Sequence, residues 1–189
     1  MKITLYGAAS EKIDAVYKDA AAELGREIAR RGHTMVFGAG ATGLMGAAAR
    51  GVRAENGALI GVSPHFMHEL EPIFGECTEL IDTETMSERK DKMEQLADAF
   101  VIVPGGIGTF DEFFQILTLR QLRRHEKPIV LYNVCAFWDN LLAVLGLDIF
   151  KGFIAPEIAD CFTVCETPAS VIDTLEAIVA PKAQAPAAQ

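Results

Sequence analysis

Pro104-Gly105-Gly106-Ile107-Gly108-Thr109-Phe110-Asp111-Glu112 follows the apolar run Ala99-Phe100-Val101-Ile102-Val103 and precedes Phe113-Phe114-Gln115-Ile116-Leu117, whose apolar spacing is helical. The order is strand, glycine turn, helix. Three glycines let the backbone approach a ligand closely, and the N–H groups that open a helix attract an anion, phosphate above all. Glu112 does not suit that role, since a carboxylate repels a phosphate. In a first helical turn it reads either as a partner of the helix dipole or as a chemical group aimed elsewhere on the ligand.

Outward from this stretch, apolar runs at Ile3–Tyr6, Thr34–Phe37, Leu59–Val62, Glu79–Asp82, Ala99–Val103, Pro128–Tyr132 and Phe162–Val164 read as strands. Helical periodicity falls between them, over Leu44–Glu55, Met86–Leu96, Phe110–Arg124, Phe137–Leu145 and Pro168–Val179. A first helix is expected with Ser10 as its N-cap, a stripe of Ile13, Val16, Tyr17, Ala20, Leu24 and Ile28, and Gly32 at its C-terminal end. Strands alternating with helices predict a three-layer α/β fold, with a mostly parallel sheet of about seven strands and helices on both faces.

A chain of 189 residues with 50% hydrophobic content suits one domain, expected over residues 1–180, followed by a flexible Ala/Pro-rich tail at 181–189. The formal net charge of -9 excludes a nonspecific nucleic-acid binder, which needs a basic surface. No apolar run reaches the roughly 20 residues that span a bilayer, and Met1–Tyr6 reads as a strand rather than a signal peptide. A cytoplasmic location without membrane or nucleic-acid partners is therefore expected. Cys77, Cys135, Cys161 and Cys165 form no CxxC pair and read as structural thiols.

A second glycine loop, Gly38-Ala39-Gly40-Ala41-Thr42-Gly43-Leu44-Met45-Gly46, follows the second strand and contains GxGxxG. A dinucleotide site needs that pattern on the first strand-to-helix turn, with an acid closing the next strand. The next strand instead ends Gly61-Val62-Ser63-Pro64. Neither glycine loop carries the Gly-Lys-Ser/Thr of a P-loop. Both loops belong at the carboxyl edge of one sheet, facing a ligand of mononucleotide size. In Thr85-Met86-Ser87-Glu88-Arg89-Lys90-Asp91-Lys92-Met93, two cations open a helix against its dipole. They read either as a solvated face partnered by Glu88 and Asp91, or as a ligand clamp with Arg89 as a planar donor fork.

Taken together, Gly43-Leu44-Met45-Gly46, Met86-x-x-Arg89-Lys90 and Pro104-Gly105-Gly106-Ile107-Gly108-Thr109-x-x-Glu112 resemble the LOG family of cytokinin-activating nucleoside 5′-monophosphate phosphoribohydrolases, long labelled lysine decarboxylases. The resemblance covers about Lys2 to Ile154. It implies a Rossmann-like fold, hydrolysis of the N-glycosidic bond of purine nucleoside 5′-monophosphates to free base and ribose 5-phosphate, and a homodimer with sites near the interface. It also implies Arg89 and Glu112 as the catalytic pair. Gly105, Gly106, Gly108 and Thr109 would hold the phosphate, Gly43 would help shape the pocket, and Lys90 and Met86 would join the nucleotide-binding set. No cofactor and no metal are implied. The chain departs from the family pattern at Gly7-Ala8-Ala9-Ser10, Gly38-Ala39-Gly40 and Ser87, changes that fall near the ligand and leave the choice between adenine and an N6-substituted adenine open.

The residues suit the implied chemistry. Cleavage of an N-glycosidic bond builds oxocarbenium character on the ribose, and a carboxylate can stabilise that charge, orient water or act as nucleophile. Decarboxylation of lysine would call for a pyridoxal group on a lysine, and no lysine stands in a recognisable cofactor setting. A nucleotide sensor without catalysis is the competing reading. His65 and His68 with Glu69 lack the HExxH arrangement and read as solvent-facing, while His33 and His125 flank helix ends.

Overall fold

The structure, a computed structural model, describes residues 1–179. The Ala/Pro-rich tail at 181–189 lies outside them. Seven strands, β1 (Lys2–Tyr6), β2 (Thr34–Phe37), β3 (Leu59–Pro64), β4 (Glu79–Thr83), β5 (Ala99–Ile102), β6 (Ile129–Tyr132) and β7 (Thr163–Cys165), form one sheet in the order β4-β3-β2-β1-β5-β6-β7. Every pairing is parallel. All seven expected strands are present.

Among the described residues six helices cover the sheet: α1 (Ala15–Arg30), α2 (Gly43–Ala54), α3 (Met86–Leu96), α4 (Ile107–Gln121), α5 (Asp139–Phe150) and α6 (Pro168–Val179). Parallel strands buried on both faces alternate their side chains between two cores. Ile3 and Leu5 of β1 enter one core with Leu24, Ile28, Leu44, Val52 and Val171, from α1, α2 and α6. Tyr6 enters the other with Met93, Phe113, Ile116 and Trp138, and Leu141, Leu142 and Ile149 of α5 pack on its edge.

Several local expectations are corrected. α1 begins at Ala15 with Asp14 as N-cap, and Ser10 instead accepts the Lys12 N–H at 3.2 Å within a turn. Val16 lies half-exposed rather than on the buried stripe. Gly32 does close α1: at φ +70° it donates to the Ala29 carbonyl while His33 donates to that of Ile28, a left-handed C-terminal cap. α5 starts later than expected, because Cys135 and Ala136 adopt positive φ and interrupt the chain before it, and it runs further, to Phe150. That turn also leaves Cys135 exposed, and only Cys165 of the four free thiols is fully buried.

The shift that bears on the site is in α4, which starts at Ile107 rather than Phe110. Gly106 is its N-cap and Gly108 lies in its first turn. Glu112 therefore sits in the second turn and is buried, where the dipole of the helix end no longer reaches effectively.

Candidate active site

Strand order reverses between β1 and β5, so the loops leaving their carboxyl ends diverge and open a crevice. Gly7–Ser10 follows β1, Pro104–Gly106 follows β5, and Ala8 N–H donates to the Pro104 carbonyl at 3.1 Å to tie the two together. The resulting cleft of about 330 Å³ is walled by the first loop, by Gly106, Gly108 and Thr109, and by Arg89 and Glu112. Met45, Met67 and Glu71 complete it.

The amide cradle follows from the start of α4. The first N–H groups of a helix lack intrahelical acceptors, and Phe110 is the first here to donate back, to the Gly106 carbonyl at 3.0 Å. Gly106 and Gly108 are exposed, whereas Thr109 is buried with its side chain packed over Gly105. A Cβ at Gly105 would collide with Thr109, so this glycine is required for the tight turn.

The second glycine loop is arranged differently. Gly43 has φ +59°, and a Cβ there would strike the backbone of Ala8 and Ala9. Leu44 and Met45 donate their N–H groups to the Ala8 carbonyl, and Thr42 Oγ1 donates to the Ala9 carbonyl at 2.7 Å. The expectation of two phosphate-ready loops is thus corrected. The amides opening α2 are spent on the first loop, and the Gly43 turn shapes the cleft by buttressing that loop.

Arg89 Nη2 lies 3.0 Å from Glu112 Oε1, with both side chains almost wholly shielded. Lys90 Nζ donates to Asp111 Oδ2 at 2.9 Å. Arg89 and Lys90 therefore both reach across to α4 rather than to Glu88 and Asp91, the partners a solvated face would supply. Glu88 instead takes part in the N-terminal cap: Thr85 Oγ1 accepts its N–H at 3.1 Å, and its carboxylate accepts the Glu84 N–H. Lys90 lies outside the cleft lining, and so does Met86, whose sulfur sits 4.0 Å from Arg89 Nη1.

Burial pushes the Glu112 carboxyl up to about 7, against the opposing pull of Arg89, with Asp111 adding a smaller upward push. Tyr6 at the end of β1 is also driven upward, first by its own burial and then by the charge of Glu112. A carboxyl poised near neutrality at the bottom of a cleft, with a guanidinium on it and free amides nearby, is equipped to exchange protons and to meet developing positive charge beside a bound anion.

A protein-family model described as "Possible lysine decarboxylase" matches residues 45–175. The chain belongs to this family, the LOG family. Among its relatives is the cytokinin riboside 5′-monophosphate phosphoribohydrolase of Mycobacterium tuberculosis, 39% identical over 175 residues, covering 93% of this chain and 91% of that protein. The cytokinin riboside 5′-monophosphate phosphoribohydrolase LOG of Oryza sativa is 35% identical over 178 residues, covering 94% and 74%. Among solved structures, the molybdenum cofactor carrier protein of Chlamydomonas reinhardtii superposes with a TM-score of 0.73 at 23% identity, covering 95% of this chain and 98% of that one. That likeness concerns the fold alone.

Sequence reasoning brought Arg89, Glu112 and the Gly105–Thr109 loop to one place, and missed Met67, Glu71 and Tyr6. Met67 and Glu71 reach the cleft from the connection between β3 and β4, where no periodicity or glycine marks them. Their segment is carried in by long-range backbone bonds, Ala41 N–H to the Pro72 carbonyl and Phe74 N–H to the Ala39 carbonyl.

Proposed function

We propose that this protein hydrolyses the N-glycosidic bond of purine nucleoside 5′-monophosphates, releasing free base and ribose 5-phosphate. The buried Arg89–Glu112 pair beside the unbonded amides of α4 carries the reading. The 5′-phosphate sits on the N–H groups of Gly106, Ile107, Gly108 and Thr109, with the Thr109 hydroxyl as a further donor. This anchor sets C1′ of the ribose against Glu112, so that binding energy remote from the scissile bond aligns it.

As the C1′–N9 bond breaks, its electron pair leaves with the base and positive charge grows on the ribose. Ionised Glu112 stabilises that charge and orients the water whose oxygen joins C1′. The proton of the water passes by way of the carboxylate to solvent, and the departing base takes up a proton. Arg89 holds Glu112 in place and favours its ionised form. Met45 and Met67 offer polarisable surface to the purine. Decarboxylase chemistry has no support in this cleft, whose lining includes an arginine and no lysine among the described residues.

A homodimer in the cytoplasm belongs to the same reading. Ile107 and Phe114 stand exposed on α4 and Leu122 at its C-terminal cap, an apolar face suited to a second copy near the site. The four free thiols suit a reducing compartment. Chromatography of a nucleotide panel with purified protein tests the activity: base release from AMP or N6-isopentenyl-AMP is expected, and tight binding without turnover would make the protein a sensor instead. Light scattering on the same preparation reads the dimer.

A further inference from the structure

We propose that His65, His68 and Asp82 form a binding site for a divalent transition-metal ion of the zinc class, on the outer side of the segment that walls the cleft. His65 and His68 open and nearly close a 3₁₀ turn, His65–Glu69. In such a turn side chains three apart eclipse, which brings the two imidazoles to one side, tilted by 53° to each other with ring centroids 5.4 Å apart. The carboxylate comes from β4 and not from neighbouring Glu69. Parallel pairing of Ser63 with Asp82 sets that side chain beside the end of β3, where the turn begins.

One donor atom from each residue lies within 4.8 Å of the other two. Bonds of about 2.1 Å to one ion place donor atoms about 3.5 Å apart, so closure by roughly 1 Å is needed, within reach of a rotation of exposed His65. His68 Nε2 lies 3.3 Å from Asp82 Oδ1, yet among the described residues it is closed to solvent and makes no hydrogen bond. An imidazole nitrogen so placed needs an acceptor for its proton or a cation for its lone pair. Two imidazoles and one carboxylate with open positions suit zinc, nickel or copper ions rather than magnesium or calcium, which prefer oxygen donors. The site lies outside the catalytic cleft, but Met67 is inside the same turn and Glu71 follows it. A bound ion would clamp this wall of the cleft to β4.

The test is titration of chelator-treated protein with Zn²⁺, followed by calorimetry and thermal melting. One ion per chain with micromolar or tighter affinity is expected, with Tm raised by about 5–10 °C when free Zn²⁺ exceeds Kd 100-fold. His65→Ala, His68→Gln and Asp82→Asn should each weaken binding tenfold or more, while His33→Gln and Cys135→Ser should leave it intact. The Co²⁺ form should lack a thiolate charge-transfer band. Absence of saturable binding, or wild-type affinity in any of the three site variants with a native circular dichroism spectrum, overturns the proposal.

Discussion

The guanidinium of Arg89 occupies the space that a side chain on Gly38 would fill. This close approach seats the arginine over the end of β2, from which it reaches Glu112 on α4. Gly38→Ala should therefore displace the flexible end of Arg89 while leaving the fold nearly as stable as before. Turnover of AMP is expected to fall about tenfold or more. Because Arg89 opposes the upward push of burial, the apparent pKa of Glu112 should rise further in this variant. An unchanged pH profile would separate Gly38 from the placement of Arg89.

Glu112→Gln should keep the fold and nucleotide binding while turnover drops roughly 100-fold or more. In the wild type, kcat/KM should climb as pH rises through about 7, the value to which burial lifts this carboxyl. The linkage to stability has the opposite direction. A carboxyl raised in the folded state binds more protons there than in the unfolded chain between about 4.5 and 7, so stability falls as pH rises across that window. Thermal melts of wild type and Glu112→Gln from pH 5 to 8 should show the glutamine variant gaining relative to wild type, by an amount on the order of 3 kcal/mol at full ionisation. A constant difference across that range would place Glu112 at an ordinary carboxylate pKa.

Arg89→Ala should damage activity severely and Arg89→Lys should not restore it, since lysine keeps the charge but loses the planar fork. Lys90→Ala provides the contrast. Its bond to the exposed carboxylate of Asp111 lies outside the cleft, so activity should stay near wild type and stability should change by about 1 kcal/mol or less. Full activity in Arg89→Lys would show that positive charge alone suffices beside Glu112.

Adenosine carries the same glycosidic bond as AMP but no anion for the amides of Gly106–Thr109. Its kcat/KM should be about 100-fold lower, equivalent to about 2.7 kcal/mol, a modest demand on several charge-assisted hydrogen bonds. ATP should also be poor, because this glycine loop has no P-loop lysine for the outer phosphates. Base release from the three compounds, measured side by side, decides the role of the loop. Comparable rates for adenosine and AMP would remove the phosphate anchor from the mechanism.

The amino-acid sequence alone determined the alternation of strands and helices, because apolar periodicity is a local property that each segment displays by itself. It also singled out Arg89, Glu112 and the Gly105–Thr109 turn, whose spacing and residue types are specific enough to carry a family resemblance. Tertiary structure decided what those residues meet. Whether Glu112 was a dipole partner or a buried carboxyl depended on α4 beginning at Ile107, and whether the Arg89–Lys90 pair was a solvated face depended on carboxylates of α4 standing within reach of both side chains. The second glycine loop looked equivalent to the first until the Ala8 carbonyl was found on its amides. Met67, Glu71 and the placing of Asp82 beside His65 and His68 were invisible along the chain for the same reason. Their neighbours come from strands and loops far away in sequence, and only the register and packing of the folded sheet bring such groups within bonding distance.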